Sequence, residues 1–272
     1  LFYYDLFRFE SMENFKTAYP EEFGTLLGRT TSPSIYTLRR FLDKIKGLSK
    51  SEELRDEYAK EYLRSGITKW GVLYIDGKFL PYYGMYCISM GWHGVRKIPM
   101  KGSNNFIAID ERFTPLLFLI RSSAEDLLQK IPEIVLKAKK IAREVGKSEE
   151  DIKNLIILFD REGFSAELFR ILDGREKDNG KYKVNFITWA KYTDKWIYGI
   201  EEDKLNRTVM VNYEIQESEE ISYYETERIM KKYGKIRTIV IESKNKKDKK
   251  RAAIYTNAQE LEVETIIQLM CR

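Results

Sequence analysis

"NLIILFDREGFSAELF", residues 154–169, opens with an unbroken apolar run and closes with a helical pattern, with Asp160 between the two. A run without polar alternation marks a central strand covered on both faces. Burying an unpaired carboxylate is expensive, so Asp160 must meet a cation, a set of donors or solvent where the strand stops. "LYIDGKFLPYYG", residues 73–84, repeats the arrangement: an apolar run, then Asp76, then the turn-tolerant Gly77.

Working outward, the strand around Asp76 is followed by "YYGMYCISM" (82–90), and then by "NNFIAID" (104–110) and "PLLFLIRSS" (115–123). The last two read as a hairpin joined through "ERFT", with Asp110 setting the turn. "SAEDLLQKIPEIVLKAKKIAREVG" (123–146) has an apolar stripe at helical spacing, Ser123 as its expected cap and Gly146 as its stop. Pro132 is expected to kink or restart that helix. After the central strand come a helix in "SAELFRILDG" (165–174) and a strand in "KVNFITWAKY" (183–192).

Beyond residue 193 the rhythm breaks. "RTVMVNYEI" (207–215), "SYYETERI" (222–229) and "IRTIVIES" (236–243) read as short strands among charged loops, in the manner of an insertion. "RAAIYTN" (251–257) reads as a return strand and the last residues, from about Ala258, as a helix. Upstream, "TTSPSIYTLRRFLDKIKGL" (30–48) offers Ser34 or Thr31 as a cap for Ile35, Leu38, Leu42 and Ile45, and "KSEELRDEYAKEYLRSG" (50–66) is a charged helix ending at Gly66. The expected organisation is a basic helical region at 1–66, the first part of an α/β core at 67–193, a β-rich insertion at 194–250, and a last core strand with the start of a final helix at 251–272. Alternating strands and helices with one antiparallel edge imply a mixed α/β sheet.

Composition narrows the chemistry. The chain has 272 residues, 43% hydrophobic and 33% charged, which describes a globular body with a heavily ionised surface. No apolar stretch approaches the roughly 20 residues of a membrane-spanning helix, and no secretory signal opens the chain. Two distant cysteines, Cys87 and Cys271, read as free thiols of a reducing compartment. With two Cys and one His, a zinc site of soft ligands is excluded in practice, so a metal here would be hard and held by carboxylates. The net charge of +5 is concentrated in "SKNKKDKKR" (243–251) and "YTLRRFLDKIKGLSK" (36–50), where it suits a phosphate backbone or simply a solvated face. The chain begins at Leu1 and stops at Arg272 within a helical pattern, so it is expected to be a piece of a longer protein.

In open α/β sheets ligands gather at strand ends. If the strands of Asp76 and Asp160 are neighbours, their carboxylates repel unless a divalent cation joins them, and Mg²⁺ takes one or two carboxylates, waters and phosphate oxygens. The residues alone leave a second reading open, in which each Asp caps its own turn. His93, the single histidine, reads as a turn residue, and Glu242 as a solvated strand end. Lys191, beside Trp189 near a strand end, could approach a substrate phosphate. Lys246, Lys247, Lys249 and Lys250 are the candidate phosphate contacts of the lysine run.

"LYIDGKFLPYYG", "GWHGVRK" (91–97), "PLLFLIRSS", "IILFDREGFSAELF" (156–169), "FITWAKY" (186–192) and "AIYTN" (253–257) resemble, in that order, the blocks of DDE transposases of bacterial and archaeal insertion sequences. "LLGRTTSPSIYTLRRFLDKI" (26–45) resembles the helical segment ahead of the core in one branch of that family. The resemblance implies an RNase H-like core whose three carboxylates bind two Mg²⁺ (or Mn²⁺) ions, with Asp76 as the first acid and Asp160 as the second. It also implies a β-rich insertion before the third, DNA ends and target DNA as partners, and a homodimer acting on paired ends inside a prokaryotic cell. The third acid, a glutamate after an arginine–tryptophan pair, has no match before Arg272; it is expected beyond that residue, with Glu260 and Glu264 too early on the helix. Three functions follow: a transposase that cuts and joins DNA, an RNase H-like nuclease without strand transfer, or an inactive DNA-binding relic.

Overall fold

The computed structural model describes residues 12–176, 180–191, 193–213, 218–243 and 250–271. They fall into two compact units, Leu1–Arg55 and Asp56–Arg272.

The first unit is helical. A short 3₁₀ turn, Met12–Thr17, precedes α1 (Pro20–Leu26), α2 (Ile35–Gly47) and the first turn of α3 (Ser51–Arg64). Ser34 caps α2, its hydroxyl accepting from the Thr37 N–H at 3.2 Å. Phe15 and Phe23 meet edge to face at 4.9 Å, and with Ile35 they are the buried apolar side chains among the described residues of this unit. Of the apolar stripe expected on α2, Leu38 and Leu42 are half-buried and Ile45 is exposed, so only one end of the helix is anchored.

The second unit is organised by one ten-stranded sheet, whose path is β2-β3-β1-β5-β6-β10-β9-β8-β7, with β4 added on β3. Its first part comprises β1 (Val72–Pro81), β2 (Met90–His93), β3 (Ile98–Ile109), β4 (Pro115–Ser122), β5 (Ile156–Phe159) and β6 (Asn185–Trp189). β1 runs antiparallel to β3, and β3 to β4. β5 is parallel to β1 and β6 is parallel to β5. Parallel neighbours need a crossover, and the helices α4 (Leu127–Glu144), α5 (Glu149–Lys153) and α6 (Ala166–Leu172) supply it. The second part is an antiparallel set, β7 (Arg207–Val211), β8 (Glu219–Met230), β9 (Gly234–Ser243) and β10 (Arg251–Thr256). A four-residue helix, α7 (Asp194–Ile197), precedes it and α8 (Val263–Cys271) follows it.

Each face of the sheet has its own core. Leu73 and Ile75 of β1 and Ile157 and Phe159 of β5 point to one side, against Ile131, Ile134 and Val135 of α4 and Leu168 and Phe169 of α6. Leu158, Ile187, Ile239 and Ile254 point to the other, against Val263, Ile266 and Ile267 of α8. The double burial explains why β5 has no polar alternation: its residues serve both cores.

Several expectations change in detail. α4 starts at Leu127 and its cap is Asp126, which accepts from the Gln129 N–H at 2.9 Å; Ser123 lies ahead of the helix in a turn. Pro132 does not restart the helix: α4 runs unbroken over 18 residues with Pro132 inside it. A capping box formed by Ser148 and Asp151 opens α5, a helix not expected from the sequence although "SEED" carries the signal. The final helix begins at Val263 rather than near Ala258. The inserted strands extend the same sheet, since β10 pairs antiparallel with both β6 and β9.

Candidate active site

β1 and β5 pair in parallel from Val72↔Ile156 to Ile75↔Phe159. Asp76 and Asp160 are the next residue on each strand, so the register sets them side by side. β5 stops there and Asp160, still extended (φ −76°, ψ 175°), leads into a 3₁₀ turn, Arg161–Gly163. β1 does not stop. Asp76 sits within the strand and pairs with Ile107, and β1 continues against β3 as far as Pro81↔Gly102. The expectation that Asp76 ends its strand is therefore corrected: it marks the place where β1 outruns β5. Gly77 keeps an extended backbone, and a Cβ there would lie 3.1 Å from the Phe106 ring, so its role is close packing and not a turn.

Strand alternation fixes the face. Asp76 follows Tyr74 by two residues and Asp160 follows Leu158 by two, and Tyr74 and Leu158 both belong to the α8 side. Both carboxylates are exposed. Asp76 Oδ1 accepts from the Gly77 N–H at 2.8 Å, whereas Asp160 makes no cap bond to the turn it precedes. A strand-end Asp that caps its turn would satisfy that turn's N–H groups, and Asp160 leaves its oxygens for another partner. Neighbouring strands are spaced about 4.8 Å apart, close enough for two carboxylates to share one cation.

α8 packs on this face. Near its start Tyr223 of β8 donates to Glu264, a contact that draws the glutamate below the usual carboxylate range. Near its end the Tyr74 hydroxyl donates to the Leu269 carbonyl at 3.0 Å. Gln268 exchanges two hydrogen bonds with Asn212, just past β7, so the helix runs along β7 and β8 from the Tyr223 end to the Asn212 end, and the Tyr74 side chain reaches it from β1. Glu264 is held at β8, with β9, β10 and β6 between it and β5, so it does not reach the aspartate pair. Glu260 precedes the helix. Among the described residues no group of three His, Cys, Asp or Glu is placed to hold a metal ion.

The other candidates separate by location. Lys191 is half-buried three residues beyond Thr188, the partner of Phe159, and so shares the sheet end with Asp160. Lys246, Lys247 and Lys249 lie outside the described residues. Lys250 is exposed where the β9–β10 connection closes, its carbonyl accepting from Ser243 N–H at 3.5 Å. Asp110 is the turn residue expected, and more. It is fully buried and accepts from the N–H groups of Lys69 (2.7 Å), Arg112 (2.9 Å) and Thr114 (2.8 Å). Burial pushes its pKa up, but those three donors hold it below the usual range. His93 also behaves as a turn residue, its Nδ1 accepting from Arg96 N–H at 3.2 Å.

Glu242 is not solvated. It is buried and paired with Arg251 at 2.8 Å, and Arg251 in turn donates to the Ile197 and Ile200 carbonyls. Local sequence does not reveal this, because the partner is set by the β9–β10 register, Glu242↔Arg251, across the lysine run. Cys87 and Cys271 are free thiols, and burial followed by the Glu219 charge raises Cys271 to about 12.

Residues 1–218 match the model of a family described as transposase protein. The chain belongs to that family. No curated protein matches it. Among solved structures this transposase-family chain is similar to the piggyBac transposase synaptic complex with hairpin DNA, at 12% identity and a TM-score of 0.38, over 73% of this chain and 36% of that one. It therefore spans about a third of that chain's length, and a likeness so distant carries no argument. Among the described residues of the transposase-family chain no helix is long and apolar enough to cross a membrane.

Proposed function

We propose that this chain is the catalytic region of a DNA transposase of the DDE type, built on an RNase H-like core, with Asp76 and Asp160 as two of its metal ligands. The observation that carries this reading is the β1–β5 register, which brings two acids 84 positions apart in sequence to the same end and the same face of adjacent parallel strands. The strand order β4-β3-β1-β5-β6 supports the RNase H-like assignment, with an antiparallel trio followed by two strands parallel to β1. Family membership supports the transposase class, and the insertion-sequence origin rests on the motif resemblance.

The donor set fits a hard divalent ion in part. Two exposed carboxylates, one of them unused by its own turn, match the one or two that Mg²⁺ takes alongside water and phosphate oxygens. When bound, such ions activate a water or a 3′-hydroxyl and stabilise the leaving oxygen in phosphodiester chemistry. The chain's own residues would hold the ions and orient the DNA: Asp76 and Asp160 on the α8 face, and Lys191 at the same sheet end for a phosphate. A third hard ligand would best enter from the C-terminal end of α8, which the Tyr74 hydroxyl reaches from the strand of Asp76. Among the described residues none completes the set. The lysine run, including Lys246, Lys247, Lys249 and Lys250, and the basic α2 would add phosphate contacts that carry no sequence information. The DNA ends would be held by a homodimer.

The test is a strand-transfer assay with labelled element-end DNA, a supercoiled target and Mg²⁺ or Mn²⁺, using a chain extended past Arg272. Joined products support the transposase, cutting without joining points to a nuclease, and binding without cutting points to an inactive relic.

A further inference from the structure

Past Asp76 the chain changes character. Between Asp76 and Asp110 there is no Asp or Glu, while Lys78, Arg96, Lys97 and Lys101 supply four cations. The same stretch forms the ribbon in which the end of β1, β2 and the start of β3 pair away from β5. Its large side chains face solvent: Tyr83 is 69% exposed, Tyr86 74%, Trp92 62%, Met85 100% and Val95 90%. Lys78, two residues from Asp76 on the same face of β1, is exposed too, as are Arg96 and Lys97. The Arg96 guanidinium lies 5.7 Å from the Tyr83 ring centre.

The ribbon backbone is nevertheless pinned. Tyr82 N–H donates to the Lys101 carbonyl at 2.8 Å, Gly102 N–H to the Ser89 carbonyl at 3.1 Å, and Ser123 N–H to the Ser89 hydroxyl at 3.2 Å. A Cβ at Gly91 would come within 2.7 Å of the Phe79 and Ser123 side chains, and one at Gly102 within 2.4 Å of Leu80 O, so neither position has room for a side chain. Trp92 thus stands on a pinned strand, and Tyr83 and Tyr86 lie in the β1–β2 connection whose two ends, at Tyr82 and Ser89, these bonds hold.

We propose that this ribbon is a binding surface for unpaired nucleotides of single-stranded DNA, beside the Asp76–Asp160 pair. The absence of acids and the four cations match a phosphate chain. The rings choose between DNA forms: in a duplex the base faces are stacked away, whereas an unpaired base offers its face to tyrosine or tryptophan. The inference rests on the reading of the chain as a DNA transposase for its ligand class, and on nothing about cleavage. Strand ends frayed or opened beside the aspartates would thereby be held clear of the duplex.

The test measures anisotropy of a labelled oligo-dT and of a labelled blunt duplex, with the chain carrying Asp76→Asn so that no cleavage intervenes. Because Tyr83, Tyr86 and Trp92 are exposed, their combined replacement by Ala leaves the fold intact, checked by circular dichroism. Removing a base-stacking ring costs roughly five- to 150-fold, so the triple variant should bind oligo-dT at least tenfold more weakly and the duplex within twofold of the parent. Replacing Lys78, Arg96 and Lys97 by Gln should weaken both and flatten the salt slope by about 0.7 for each single-strand phosphate no longer neutralised. Unchanged oligo-dT affinity in the ring variant overturns the proposal, as does an equal loss for duplex. So does a dimer-to-monomer change with unchanged DNA affinity, which would make the ribbon a surface for a second copy. Failure of the aspartate pair shows elsewhere, as undiminished cleavage by Asp76→Asn in the extended chain, and leaves these binding results untouched.

Discussion

The Tyr74 hydroxyl donates to the Leu269 carbonyl oxygen at 3.0 Å, joining β1 two residues before Asp76 to the last described turn of α8. One hydrogen bond thus ties the strand of the first candidate ligand to the helix that packs on the same face of the sheet. Tyr74→Phe removes the donor and leaves a helix-end carbonyl unpaired, at a cost of about 1 kcal/mol. Denaturant unfolding should record that loss. Hydrogen exchange should show faster opening confined to α8, and unchanged exchange there would mean that apolar packing alone seats the helix.

Glu264→Gln separates a structural acid from a catalytic one. Its carboxylate is engaged by Tyr223, and that contact lowers its pKa. The substitution should leave metal binding unchanged and cost about 0.5–1.5 kcal/mol of stability. Loss of metal binding would place Glu264 among the ligands and contradict its assignment to β8.

Asp110 gives a pH signature. Its pKa in the folded chain is depressed, so the unfolded chain binds more protons in acid. The stabilisation is complete above the ordinary carboxylate pKa of about 3.9 and is lost as pH falls through the lower folded value. Asp110→Asn presents one acceptor oxygen to three N–H donors and should cost about 1–3 kcal/mol at neutral pH. The gap between parent and variant, followed by unfolding from pH 7 to pH 2.5, should narrow in acid.

The order of most strands and helices is legible in their apolar pattern, most clearly in the doubly covered β5, whereas the short α5 and β2 carry too few apolar residues to show one. The aspartate pair was readable only as two similar contexts; their adjacency comes from a parallel register that no local pattern encodes. Glu242 shows the limit. As a charged residue at the end of "IRTIVIE" it resembles a solvated strand end, and only the β9–β10 pairing brings Arg251 to it. Asp126 took the cap expected of Ser123 for a similar reason. Both are good caps, and residues 123–125 form a turn after β4, which leaves Asp126 as the residue before the helix.

Glu242→Ala should be among the most damaging changes outside the core. It leaves the Arg251 guanidinium, whose side chain is only 6% exposed, without its carboxylate. Breaking a buried pair from one side costs about 3–5 kcal/mol. Thermal denaturation measures it, and a loss below about 1 kcal/mol would show that the two backbone carbonyls suffice for Arg251.

The central claim is that Asp76 and Asp160 serve one metal site. Calorimetric titration of Mn²⁺ into the chain, into Asp76→Asn, into Asp160→Asn and into the double variant tests it most directly. The account predicts that each single substitution abolishes the same binding isotherm and that the double variant is no worse than either. Isotherms unchanged in the single variants, or losses that add as for two independent sites, would contradict it.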